Sequence, residues 1–99
     1  MNLIFEWDEN KARMNVQKHN VRFDEARTLF NDPRLLTYPD EYHSEAEDRY
    51  ISIGQSVRNR VLLAVHTERE EAEDTLIVRI ISCRKATASE RQAYEESDE

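Results

Sequence analysis

RIISCRKATASE, Arg79–Glu90, decides how this chain folds. Its first half is a β-branched, apolar strand pattern. Its second half, Thr87-Ala88-Ser89-Glu90, is a capping box, in which a Thr hydroxyl and a Glu carboxylate satisfy each other's orphan backbone amides where a helix starts. A strand therefore runs straight into a helix, with Arg79, Arg84 and Lys85 gathered near the junction. Cations there suit a phosphate-bearing partner, because guanidinium and ammonium groups make charge-assisted hydrogen bonds to phosphate oxygens.

Working outward, residues 75–83 and 60–67 are the two strongest strand runs, rich in Val, Ile and Leu. The acidic EREEAED between them is too charged to bury and reads as a hairpin tip. Arg49 to Gln55 alternates as a further strand with a bulge at Gly54, and 56–59 forms a tight turn. Leu35, Leu36 and Tyr38 make a brief strand that Pro39 breaks. Phe23, Ala26, Leu29 and Phe30 recur at helical spacing and mark a short helix stopped before Pro33. Residues 2–7, NLIFEW, form a first strand. Asp8 then N-caps a helix over 9–19, and Asn20 takes the left-handed conformation that ends it. The last helix spans 88–96, with Ala93 and Tyr94 on its inner side.

The resulting order is β-α-α-β-β-β-β-α. It predicts an α+β fold: an antiparallel sheet of four to five strands, two N-terminal helices, one C-terminal helix, and the helices packed on one face. Residues 1–95 are read as a single domain and 96–99 as an acidic, frayed tail.

Of the 99 residues, 38% are hydrophobic and 35% charged, so the core is thin and the surface crowded with charge. No apolar run approaches the roughly 18 residues of a membrane span. Early Glu6, Asp8 and Glu9 do not fit a secretory signal. A single cysteine, Cys83, in an apolar strand points to a reducing cytoplasm and to packing rather than to an activated thiolate. The net charge of −7 is unevenly spread. Residues 40–50, 68–75 and 90–99 each net −4, which leaves the remainder at +5. A local basic groove is compatible with the acidic total, although long-range steering of nucleic acid would be weak.

Metal ligation is not indicated: His19, His43 and His66 lack ligand spacing, and no HExxH, CxxC or DxD occurs. With one glycine, Gly54, a phosphate-cradling glycine loop is also absent, and no cofactor is implied.

Three blocks, FEWDENKARMNVQKHNVRFDEA near the N-terminus, HSEAEDRYISIGQS in the middle and the Arg79–Thr87 stretch, together resemble the BrnT-type toxins of bacterial toxin–antitoxin modules. The resemblance covers roughly residues 4 to 95, with the blocks in the family's order. The chain departs from the family's usual glycine at Asn20, Ala46 and Glu70. The resemblance implies a RelE/ParE-like fold and a toxin acting as a metal-independent endoribonuclease. Its partners would be RNA, a cognate antitoxin, and operator DNA only indirectly through that antitoxin, with no membrane involved.

RNA can be cut without a metal when its 2′-hydroxyl attacks the adjacent phosphate. The protein must then align the chain, neutralise the phosphorane and move two protons. Arg79 is the leading candidate, as a charge placed mid-strand in an apolar run; its alternative is a surface pair with a carboxylate such as Glu68. Arg84 is a second catalytic candidate and Lys85 an RNA contact, against a role in complementing the acidic last helix. Arg79 and Arg84 point to opposite faces unless a bulge near Cys83 re-aims one of them. His66 and Glu68 are candidates for proton transfer, with a half-buried, hydrogen-bonded His66 as the alternative. Lys18, His19, Arg69 and Trp7 are candidate RNA contacts; the first two also complement a helix dipole, and Trp7 also suits core packing. His43-Ser44-Glu45 matches the family's His-Ser-Glu, and Glu45 or Glu47 could serve as a base. A competing function keeps the fold but acts only by binding its antitoxin or another protein. Arg79 exposed in a concave site beside Arg84 or a cation of the first helix would favour the enzyme, and Arg79 locked in a flat surface ion pair would favour the binding module.

Overall fold

The computed structural model describes residues 1–42 and 48–97. The expected order holds: β1 Asn2–Glu6, α1 Glu9–His19, α2 Phe23–Ala26, a 3-10 turn Arg27–Asn31, β2 Leu36–Pro39, β3 Arg49–Gln55, β4 Val61–Ala72, β5 Thr75–Lys85 and α3 Ala88–Glu96. The sheet runs β1-β5-β4-β3-β2. Strands β2 to β5 form the antiparallel meander. At the other edge β1 lies parallel to β5, with Asn2 beside Thr75 and Glu6 beside Arg79. A parallel pair needs a long connection, and here nearly the whole chain supplies it.

Local chemistry sets the helix ends. The Asp8 carboxylate accepts the Lys11 amide at 3.1 Å, and Asn20 closes α1 at φ 57°. At α3 both arms of the capping box are made: the Glu90 amide donates to Thr87 Oγ1 at 3.2 Å, and the Thr87 amide donates to Glu90 Oε1 at 2.9 Å.

Helices cover both sheet faces rather than one. Strand β4 is apolar on both sides, so each face needs a partner. On one face, Leu62 and Ala64 with Ile80 and Cys83 meet Val21, Phe23, Ala26 and Leu29 from the N-terminal helices. On the other, Ile53 and Leu63 meet Tyr94 of α3.

The bulge expected at Gly54 lies elsewhere. Gly54 pairs regularly with Leu62, and its missing side chain makes room: a Cβ there would stand 2.8 Å from Leu35 Cδ1. The ladder slips instead between Val65 and His66, which pair with Ser82 and Ile80, so Ile81 is an extra residue in β5. Ile80 and Cys83, three residues apart, consequently enter the same core. The acidic hairpin is also more regular than its charge indicated. The ladder continues, with a second slip between Glu70 and Ala72, to the pair Ala72 and Thr75; the turn is confined to Glu73 and Asp74, and residues 69–74 remain exposed.

Two buried polar groups hold the helices to the sheet. Asn15, in the middle of α1, donates through Nδ2 to the carbonyls of Cys83 (2.8 Å) and Val21 (2.9 Å), and its Oδ1 accepts the Cys83 amide at 3.0 Å. Helix α1 thus serves β5 where β1 no longer reaches. Buried Glu25 of α2 accepts from Ser56 Oγ at 2.6 Å and from Arg60 Nε at 3.0 Å. The Arg60 hydrogen bonds, outweighing the opposing effect of burial, hold the Glu25 carboxyl below its ordinary range.

Candidate functional site

Register places Glu6, Arg79, Thr67 and Arg49 in one row across β1, β5, β4 and β3. Partners in a row share a face, and this is the face on which Tyr94 of α3 packs against Ile53 and Leu63. Arg69 lies on the same face, two residues along β4 from Thr67. Its Nη1 donates to Glu6 Oε2 at 3.2 Å, and Arg79 Nη1 donates to the same oxygen at 3.0 Å. These hydrogen bonds, Arg69 first and Arg79 second, hold the Glu6 carboxyl below its ordinary range despite some opposing burial. Two guanidiniums thus share one carboxylate oxygen. All three groups reach water, with side-chain exposures of 51% for Arg69, 41% for Arg79 and 35% for Glu6. Arg49 ends the row beside Asp40, at 3.9 Å, and its backbone stands roughly 10 Å from that of Arg79, two strand spacings away. Exposed Ile4 and Tyr38 lie on the same face.

Arg79 therefore sits in a surface ion pair, sharing Glu6 with Arg69. The expected alternative partner, Glu68, is on the opposite face. The extra residue Ile81 does bring Arg84 onto the Arg79 face, since Arg84 pairs with Leu63 and Arg79 with Thr67. Arg84 is otherwise engaged. It grips Glu90 with two parallel hydrogen bonds, 2.8 and 2.9 Å, tying the end of β5 to the first turn of α3. Arg84 holds the Glu90 carboxyl down at about 2. Lys85 is exposed and pairs with Leu62, which places it on the other face. Lys18 and His19 occupy the last turn of α1. Trp7 packs edge-on against Phe23, with 5.9 Å between ring centroids, as part of the core.

His66 is wholly buried between Phe30 and Tyr50. Its Nε2 lies 2.7 Å from Ser52 Oγ, which in turn lies 2.7 Å from Thr37 Oγ1. On its other side Nδ1 is 3.6 Å from Glu68 Oε2, too long for a good hydrogen bond. Burial lowers the His66 pKa to about 4, so the ring is neutral, and burial raises that of Glu68. The line Ser52–His66–Glu68 has the residue types of a hydrolytic triad, yet Ser52 and His66 are both sealed from solvent. This places His66 and Glu68 on the opposite face from Arg79. Burial also pushes the Cys83 thiol up to about 12, which keeps it inert.

Among the described residues no three His, Cys, Asp or Glu side chains gather as ligands for a metal ion, and no helix is long and apolar enough to cross a membrane. His43-Ser44-Glu45 and Glu47 lie outside the described residues.

Sequence reasoning did not single out Glu6 or Arg49 as site residues. Glu6 carried a signal, a carboxylate ending an apolar strand, but only the parallel β1–β5 pairing brings it to Arg79. Arg49 opens a strand, where a cation is unremarkable until its register is known.

The family described as "Ribonuclease toxin, BrnT, of type II toxin-antitoxin system" matches residues 7–90. The 1.1 Å crystal structure of the Brucella abortus ribonuclease toxin BrnT has a similar fold, with a TM-score of 0.63 at 20% identity, covering 88% of this chain and 99% of that one. At that identity the likeness concerns the fold. No curated protein matches the sequence.

Proposed function

The chain belongs to the BrnT family of ribonuclease toxins of type II toxin–antitoxin systems, and from that premise we propose that it is a metal-independent endoribonuclease acting in the cytoplasm. RNA lies across the edge of the sheet that carries Glu6, Arg69 and Arg79. The observation that carries this assignment is the Glu6–Arg69–Arg79 cluster, which sets two solvent-accessible guanidiniums side by side. Planar guanidinium forks suit the oxygens of a pentacoordinate phosphorane and stabilise charge as it develops. The 2′-hydroxyl attacks, and cleavage leaves a cyclic phosphate and a 5′-hydroxyl. The cognate antitoxin neutralises the toxin by covering the same face, where Ile4 and Tyr38 offer apolar contact beside the arginines. Operator DNA is met only through the antitoxin.

The test is incubation of the purified chain with a defined RNA in EDTA, beside an Arg79→Ala variant of verified fold. Cleavage to cyclic-phosphate ends, reduced about 10²–10³-fold in the variant, is the expected result. One observation favours the second function, a binding module: Arg79 is held by Glu6 on a sheet face rather than in a deep cleft. RNA left intact by the wild-type chain would establish that module instead.

A further inference from the structure

We propose that Glu6 is the general base of the cleavage reaction, taking the proton from the attacking 2′-hydroxyl; this rests on the ribonuclease function proposed above. Both arginines bind the same carboxylate oxygen, Oε2, and Oε1 takes part in neither bond. A base and two phosphate-binding groups thus converge at one exposed point, the geometry that 2′-hydroxyl attack requires. Among the described residues, the other carboxylate considered for proton transfer, Glu68, lies on the opposite face beside sealed His66.

The step balances simply. Glu6 Oε1 accepts the 2′-hydroxyl proton as O2′ bonds to phosphorus. The bond from phosphorus to the 5′-oxygen breaks, and that oxygen leaves as a hydroxyl with a proton from solvent water, which reaches the cluster. Arg69 and Arg79 carry the phosphorane's charge.

The same arginines link binding to base strength. In the free protein they stabilise the Glu6 carboxylate and make it a weak base. A phosphate that draws the guanidiniums toward itself weakens that hold and raises the carboxylate's proton affinity at the moment the hydroxyl arrives. Among the described residues, the charged groups acting on Glu6 are Arg69 on β4 and Arg79 on β5; Arg79 also acts on Asp8, which caps α1.

The experiment compares wild type with Glu6→Gln in two assays: binding of a non-cleavable 2′-deoxy oligonucleotide, and cleavage of the matching RNA across pH 4–9. Glu6→Gln should bind as tightly or more tightly, since two guanidiniums lose their competitor. It should cleave about 10²–10⁴-fold more slowly and lose the acid limb of the pH–rate profile. Wild-type rates in the variant would overturn the assignment. So would a loss of binding matching the loss of rate, because Glu6 would then only position the arginines. A wild-type chain that cuts no RNA would instead remove the ribonuclease function, and Glu6's role with it.

Discussion

Asn15 holds both backbone groups of Cys83, accepting its amide at 3.0 Å and donating to its carbonyl at 2.8 Å, two residues past the extra residue Ile81. Strand β1 pairs with β5 only as far as Arg79, so beyond it a side chain rather than a neighbouring strand serves this edge of β5. Asn15→Ala should leave these buried groups unsatisfied and cost about 2–4 kcal/mol in urea unfolding, since each orphan costs roughly 1–3 kcal/mol. Asn15→Asp should be nearly as damaging, because a carboxylate cannot donate to the carbonyls. A loss below 1 kcal/mol in both variants would show that water replaces the side chain.

Arg69 and Arg79 should each report as a phosphate contact. For single strands, the dependence of log K on log salt falls by about 0.7 per phosphate neutralised. Measured on a 2′-deoxy oligonucleotide, Arg79→Ala should lower the slope by about that amount, and Arg69→Ala likewise. Trp7→Phe should leave it unchanged, because Trp7 packs on Phe23. An unaltered slope in both arginine variants would move the nucleic acid off this face.

The Arg84–Glu90 pair predicts an acid dependence. The Glu90 carboxyl titrates at about 2 in the folded chain, against 4.5 for an unperturbed glutamate. A depressed carboxylate stabilises fully above its unfolded value and loses that contribution as pH falls through its folded value. Stability should therefore decline from pH 4.5 toward about 2, and Glu90→Gln should be less stable than wild type at neutral pH by roughly 1–3 kcal/mol. The gap should close near pH 2, as followed by urea denaturation across that range.

His66 acts over a different window. Its folded pKa of about 4 lies below the ordinary 6.5, so the unfolded chain binds the proton first. The stability tied to a neutral ring is complete above 6.5 and is lost progressively down to about 4. NMR of the imidazole should show His66 uncharged at pH 5.5. A midpoint near 6.5 would mean that water reaches the ring, and would return His66 to consideration in proton transfer.

Much of the fold was legible in the sequence because its signals are local. Asp8, Asn20, Thr87 and Glu90 each act within one helical turn of their own position, and each does what its chemistry dictates. The β-branched runs marked β4 and β5 for the same reason. The candidate site was legible only in half. Arg79 stood out as a charge in an apolar strand, but its partner Glu6 is 73 residues away. No local rule foretells a parallel pairing at that distance. The bulge at Ile81 was equally hidden, since it exists only relative to β4. Asn15 shows the limit of apolar periodicity: α1 turns this amide to the core while Met14 and Val16 face solvent. Backbone groups at a sheet edge needed a hydrogen-bonding partner more than a hydrophobic one.

The parallel edge also orders events in time. Strand β1 is the first to leave the ribosome, yet it can pair only with β5, the last strand of the sheet. Until β5 emerges, Glu6 has neither guanidinium beside it in its native register, and the cationic cluster does not exist. Contacts of such long range form late, after loop closure has been met by the rest of the meander. A nascent or truncated chain ending before Thr75 thus lacks Arg79 and the strand that aligns Glu6 with it, and the cluster exists only once β5 has joined the sheet.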